Sequence, residues 1–112
     1  MALIFAWQNR GVTKDFTIDD TDGNAITPGV NDKLRISIGR LGETAKLTFT
    51  SDAATTNGSS VTKGATNRLR LDASDLALID SGVYTLSIDY YDNADAQEWK
   101  MVSRQVFVLE ES

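Results

Sequence analysis

The sequence lacks both cysteine and histidine, and its 112 residues include a single proline. Without cysteine the chain has neither disulfides nor thiolate metal ligands. Without histidine it lacks the commonest metal ligand and the usual general base near neutral pH. The apolar run at residues 2–7 is too short to span a membrane, and no basic residue precedes it as in a signal peptide. These absences predict a protein with no membrane partner and no cofactor.

Positive charge is also scarce. Eleven basic residues against sixteen acidic ones give a net charge of -5, and the basic residues are scattered along the chain. Affinity for nucleic acid comes mostly from concentrated cationic charge on phosphates. The charge pattern therefore argues against a nucleic-acid partner.

Hydrophobic and polar residues alternate with a period of two along most of the chain. The alternation is clearest over residues 33–38, 45–50, 68–72 and 83–90. This pattern is typical of antiparallel strands with one face on a core and the other in water. Turn residues separate the stretches, and a short helix is predicted only over residues 73–79, capped by Asp72 or Ser74. We predict one all-β domain over residues 1–112, a β-sandwich of seven or eight strands.

The turn that leads into the longest alternating stretch has a recognisable form. Asp80, Gly82 and Tyr84 follow the D-x-G-x-Y pattern of a tyrosine corner, which lies near the start of strand F in immunoglobulin-like sandwiches. In such a corner the ring packs inward and the hydroxyl returns to nearby backbone, while glycine allows a tight approach. The pattern predicts an immunoglobulin-like antiparallel sandwich with a structural role for these three residues.

A second resemblance covers residues 10–110. The runs FTIDDTDGNAI, DKLRISIG, RLRLDASDLALIDSGVYTLSIDYYD and RQVFVLEE occur in this order. The chain resembles the small immunoglobulin-like domains of tailed-bacteriophage virions, including the amino-terminal domain of baseplate upper proteins and head decoration proteins. The resemblance implies a non-enzymatic virion component that is made in the host cytoplasm. Its implied partners are capsid or tail subunits and copies of itself, and the resemblance does not choose between head and tail.

Two acidic groups suggest chemistry, and both are better explained as turns. Asp20 and Asp22 fit part of a calcium-loop pattern, but Ile18 and Gly29 occupy ligand positions, so a hairpin turn is predicted instead. A second group comprises Asp89, Asp92, Asp95 and Glu98. Paired carboxylates hydrolyse glycosides only across a substrate cleft, and none is indicated here. We predict no catalytic, metal or cofactor-binding residues.

Three segments carry apolar residues at both parities: 2–8, 83–91 and 98–109. A free-standing sandwich would have one polar face there, so the pattern predicts that the sheet docks against another subunit. The candidate interface residues are Leu3, Phe5, Trp7, Tyr91, Trp99, Phe107 and Leu109. Trp7, Tyr91 and Trp99 are the predicted anchors. Two alternatives stay open: Trp7, Tyr90, Tyr91 and Trp99 stack on sugars in a glycan-binding or adhesin module, or loop 51–66 folds over this face.

Overall fold

The computed structural model describes residues 3–93 and 98–111, which form ten strands and one short helix. The strands are β1 Leu3–Trp7, β2 Val12–Phe16, β3 Ile18–Asp19, β4 Ala25–Ile26, β5 Lys33–Gly39, β6 Leu47–Thr50, β7 Ser60–Thr62, β8 Asn67–Leu71, β9 Gly82–Tyr91 and β10 Trp99–Glu110. The helix α1, Ala73–Leu76, lies between β8 and β9. The class is all-β, as the alternating sequence predicts.

The strands form two main sheets. One has five strands in the order β1-β10-β9-β5-β6, and the other has three in the order β2-β8-β7. In the lettering of immunoglobulin-like sandwiches, β10, β9 and β5 correspond to strands G, F and C, and β2, β8 and β7 to strands B, E and D. The predicted immunoglobulin-like sandwich is confirmed, and β3 and β4 add a small hairpin to it.

Two details differ from the prediction. The described residues contain ten strands, because β3 and β4 pair over only two residues and such short ladders leave little trace in the alternation. The sandwich also contains one parallel pair, since β1 lies parallel to β10 with Leu3 opposite Val106 and Trp7 opposite Glu110. β1 therefore forms an edge of the five-stranded sheet.

The core lies between the two sheets and is built by strict alternation. Leu34, Ile36 and Ile38 of β5 are fully buried. Phe107 and Leu109 of β10 are buried too, with 0% and 1% of their surface exposed. Predicting them as interface residues was wrong: Phe107 lies opposite the buried Tyr84, so the odd residues at this end of β10 face inward.

The tyrosine corner is present. The Tyr84 hydroxyl donates to the Asp80 carbonyl oxygen at 2.6 Å. The Arg40 guanidinium lies 4.9 Å from the centre of the Tyr84 ring. Gly82 has φ +150°, a conformation that favours glycine, and a Cβ there would lie 3.0 Å from Nη2 of the exposed Arg40 side chain, which can shift.

The helix anchors the long loop that precedes β7. Asp72 caps α1 by accepting from the Ser74 amide, as predicted. The buried Asp75 carboxylate then accepts hydrogen bonds from Thr55 Oγ1 at 2.6 Å and Asn57 Nδ2 at 3.1 Å. Burial alone would raise the pKa of Asp75, but hydrogen bonds from Ser59, Thr55 and Asn57 outweigh it and lower that pKa. Loop 51–66 is thus tied to the helix.

Candidate interaction surface

The outer face of the five-stranded sheet contains the predicted contact region. β1, β10 and β9 are neighbours in this sheet, as the sequence analysis expected. Ile4 and Ala6 of β1 face the core, which leaves Phe5 and Trp7 on the outer face. The face divides into three zones along β10, and the first of them is apolar and exposed.

The first zone is the apolar patch, which we define as Phe5, Trp7, Val83, Val106 and Val108. Phe5, Val108 and Val83 form one row across β1, β10 and β9. Phe5 is 52% exposed, Trp7 48% and Val83 63%. Val106 and Val108 are half-buried and are not part of the core cluster. Loop 51–66 leaves these side chains open, and the side chain of Leu3 lies outside the described part of the structure.

The second zone is polar and separates the two ends of the face. Arg104 of β10 lies opposite Ser87 of β9, and Ser87 lies opposite Ser37 of β5. Arg104 is exposed, and both serines are half-buried. The predicted apolar face is therefore not continuous.

The third zone is the arginine–tryptophan cluster, which comprises Lys33, Arg35, Asp89, Tyr91 and Trp99. Arg35 donates to Asp89 Oδ2 from Nε at 3.0 Å and from Nη2 at 2.8 Å. The same guanidinium lies 4.4 Å from the centre of the Trp99 ring. The Trp99 and Tyr91 ring centres are 5.5 Å apart, and Lys33 Nζ lies 5.8 Å from the Tyr91 ring. Every member contacts another, so the cluster is satisfied within the chain.

The orientation of Trp99 depends on a bulge. The register between β10 and β9 shifts between Met101 and Ser103. Trp99 consequently lies opposite Tyr91 and on the same face as Arg35. Two of the three predicted anchors are thus partners of each other. Along β10 they lie eleven residues from the end that pairs with Trp7, about 35 Å at the rise of a strand.

The outer face of the three-stranded sheet has a different character. Thr13 and Asp15 of β2 lie opposite Arg70 and Arg68 of β8, and all four are exposed. Arg68 Nε donates to Asp15 Oδ1 at 2.8 Å. This face is polar throughout the described residues, as expected for a surface in water.

A hydrogen-bonded group holds the inner side of the sheet near the cluster. Asp32 Oδ2 accepts from the Tyr90 hydroxyl at 2.9 Å and from the Gly29 amide at 2.7 Å. The Gly29 bond, together with those from Asn93 and Tyr90, lowers the pKa of Asp32 against the effect of burial. Burial and the Asp32 charge raise the pKa of Tyr90. Lys63 Nζ donates to the carbonyls of Gly29, Val30 and Asp32, at 2.8, 2.7 and 2.6 Å.

The sequence alone did not predict the contacts of Arg35 with Asp89, of Lys63 with the loop carbonyls, or of Asp75 with the loop before β7. The signal for one of them was present, because Arg35 and Asp89 both fall on the outward parity of neighbouring strands. The Lys63 and Asp75 contacts had no signal, since each joins residues that are far apart in the sequence through loops whose path the sequence does not define.

The acidic turn near residue 20 is a hairpin, as predicted. Asp20 Oδ1 accepts from the amides of Asp22 and Asn24, each at 2.9 Å. This turn joins β3 to β4. In the second acidic group Asp89 is paired with Arg35, and Asp95 lies outside the described residues. No set of three acidic side chains among the described residues is placed to hold a metal ion.

Two comparisons with known proteins give no match. A scan against models of known families finds no match, and no curated protein matches the chain significantly. In the part of the chain that the structure describes, no helix has the length and apolar character to cross a membrane.

Proposed function

We propose that the protein is a non-enzymatic structural component of a bacteriophage virion, a head decoration protein or a tail or baseplate part. It acts through protein–protein contacts, and its apolar patch docks against a capsid or tail subunit. The observation that carries the docking role is the row of Phe5, Val108 and Val83 on a sheet face, with Phe5 52% and Val83 63% exposed. Exposed apolar surface of this kind marks contact sites.

The composition of the patch favours a protein partner over a sugar. Sugar sites combine an open aromatic ring with a few placed polar groups. Phe5 and Val83 are flanked by Val108, which offers no polar side-chain atom. At the other end of the face, Arg35 lies against the Trp99 ring and the Tyr91 ring is close by. The glycan-binding alternative therefore has less support than protein docking.

The assignment to a virion rests on the resemblance of residues 10–110 to the domains of tailed phages. The virion assignment is tested by the protein composition of purified particles. Particles purified from the strain that encodes the protein should contain it at a fixed stoichiometry, measured by quantitative mass spectrometry. Its absence from such particles would remove the virion assignment.

The docking role is tested by a matched pair of variants. Val83→Asp places a charge in the apolar patch, whereas Thr13→Asp places the same charge on the exposed polar face of the other sheet. We expect the Val83 variant to fold but to be missing from particles, and the Thr13 variant to be incorporated like the wild type. Equal incorporation of both variants would contradict docking through the patch.

A further inference from the structure

The edge strand β1 has backbone groups that the sandwich does not use. The Gln8 amide donates to the Glu110 carbonyl at 3.0 Å, which shows that the even residues of β1 direct their N–H and C=O groups toward β10. In a parallel ladder, the alternate residues direct theirs the other way. Leu3, Phe5 and Trp7 therefore turn their backbone groups to the open edge.

Among the described residues, two of these three keep their edge-facing backbone groups unpaired. The Trp7 carbonyl already accepts from the Arg10 amide at 3.0 Å, in the turn that follows the strand. No such turn reaches Leu3 or Phe5 in the described residues. An unpaired edge of this kind is a template for another strand. Its ligand must be an extended backbone.

The other edges of the two main sheets are charged or shorter than β1. β2 bears Lys14 and Asp15, and charges on an edge oppose strand addition. β6 has four residues, and a turn uses the last of them, because Thr50 and Ala53 exchange backbone hydrogen bonds. β7 has three residues only. β1, with the sequence LIFAW, is the longest uncharged edge among the described strands.

We propose that two copies of this chain pair through β1. The strands run antiparallel about a two-fold axis at Ile4, and Leu3 of each copy exchanges two backbone hydrogen bonds with Phe5 of the other. A second copy fits because its own β1 presents the same free groups, and because the paired segment, residues 3–5 of each copy, carries no charge although each chain carries a net charge of -5. The contact is isologous, as two-fold contacts are.

The pairing has a consequence for the patch. A two-fold axis perpendicular to the sheet keeps both outer faces on the same side, and Phe5 is one residue from that axis. The two apolar patches then merge into one surface that faces a third subunit. The inference deepens the proposed function, since it names the first partner of a docking protein and rests on the same end of the sheet.

Selective removal of one edge donor tests the pairing. No hydrogen bond within the described residues uses the Phe5 amide, so an N-methyl group on Phe5, introduced by ligation of a synthetic segment, should leave the fold intact. Sedimentation velocity over a concentration series should show a wild-type dimer and a dissociation constant about tenfold higher or more for the N-methyl protein, since two hydrogen bonds per dimer are lost. Amide exchange should show protection of Phe5 only in the dimer, and protection of Ala6 at all concentrations.

Val83→Asp serves as the control, because Val83 lies on the same face but two strands from the edge. This variant should dimerise like the wild type while failing to enter particles. The pairing would be overturned by a wild type that stays monomeric. It would also be overturned by an N-methyl protein that dimerises like the wild type or that does not fold. Dimerisation lost in Val83→Asp but kept in the N-methyl protein would mean that the faces pack together, which overturns edge pairing and leaves docking through the patch standing.

Discussion

The two tryptophans of the protein lie at opposite ends of one sheet face and have different surroundings. Trp99 is stacked with the Arg35 guanidinium and lies beside the Tyr91 ring. Trp7 is 48% exposed and lies two residues from Phe5 on β1, in the apolar patch, which no described segment covers. The same residue type is thus part of a satisfied cluster at one end and of an unpaired surface at the other.

The difference shows what distinguishes a structural aromatic from a contact residue. At the Trp99 end, the cationic and acidic partners lie on adjacent strands, so the chain supplies its own contacts. At the Trp7 end, Val108 and Val83 continue the row of Phe5, Glu110 lies opposite Trp7, and no described strand lies beyond β1. Exposure together with the lack of internal partners, rather than aromatic character, indicates the docking end.

The largest effect is expected on the inner side of the docking end. Tyr84 packs edge-to-face with Phe107, with ring centres 6.5 Å apart, beneath the patch. Tyr84→Ala should lower the free energy of unfolding by about 3–5 kcal/mol through the cavity it leaves. Tyr84→Phe should cost about 1 kcal/mol, for the hydrogen bond to Asp80. Chemical denaturation measures both, and a Tyr84→Ala midpoint equal to that of the wild type would contradict the corner.

At the Trp99 end of the sheet, the next largest effect on the free energy of unfolding is expected on the outer face. Arg35→Ala removes the partner of the mostly buried Asp89, whose side chain is 12% exposed, and the cation over Trp99. We expect a loss of about 2–3 kcal/mol, less than for a fully buried pair because Arg35 is 33% exposed. Arg104→Ala, on the exposed middle of the same face, is the control and should change stability by less than about 0.5 kcal/mol. Equal effects would remove the distinction between the zones.

A pH dependence is expected from Tyr90 and Asp32. The pKa of Tyr90 is raised above its ordinary value of 10.0. Its contribution to the free energy of unfolding is therefore complete below pH 10.0 and is lost as the pH rises above that value. The pKa of Asp32 is lowered, so its contribution is complete above the ordinary value of 3.8 and is lost as the pH falls below it. Tyr90→Phe should cost about 1–2 kcal/mol at neutral pH and flatten the alkaline loss, measured by thermal unfolding. An unchanged alkaline profile would argue against the Tyr90–Asp32 bond.

The smallest effect is expected at the exposed patch. Val83→Thr keeps the shape and β-branching of the side chain at a position that is 63% exposed. It should change the free energy of unfolding by less than about 0.5 kcal/mol. A loss above 1 kcal/mol would show that the patch supports the fold of the single chain.

The alternation of apolar residues predicted most of the fold, because a period of two marks one buried face along a strand. It placed Ile36, Leu69 and Leu86 in the core, where they are. The D-x-G-x-Y pattern predicted the Tyr84 corner, because its partners are four residues apart or fewer. Local signals of this kind survive in a single sequence.

The division of the outer face was not predictable from parity alone. Parity places Phe107 among apolar residues at both positions of β10, but it does not say which set faces inward until the register with β9 is known. The bulge at Met101–Ser103 changes that register. The Arg35–Trp99 contact also depends on that register. The outer face, whose strands carry apolar residues at both parities in the sequence, therefore divides into three zones in the structure.

The parallel pairing of β1 with β10 determines how the domain bears load. A force applied at the amino end of β1 and the carboxyl end of β10 pulls the two strands past each other along their axes. The five residue pairs of that ladder are then sheared together, whereas a hairpin opens one pair at a time. A domain tethered through these two ends would resist extension until the whole ladder gives way at once.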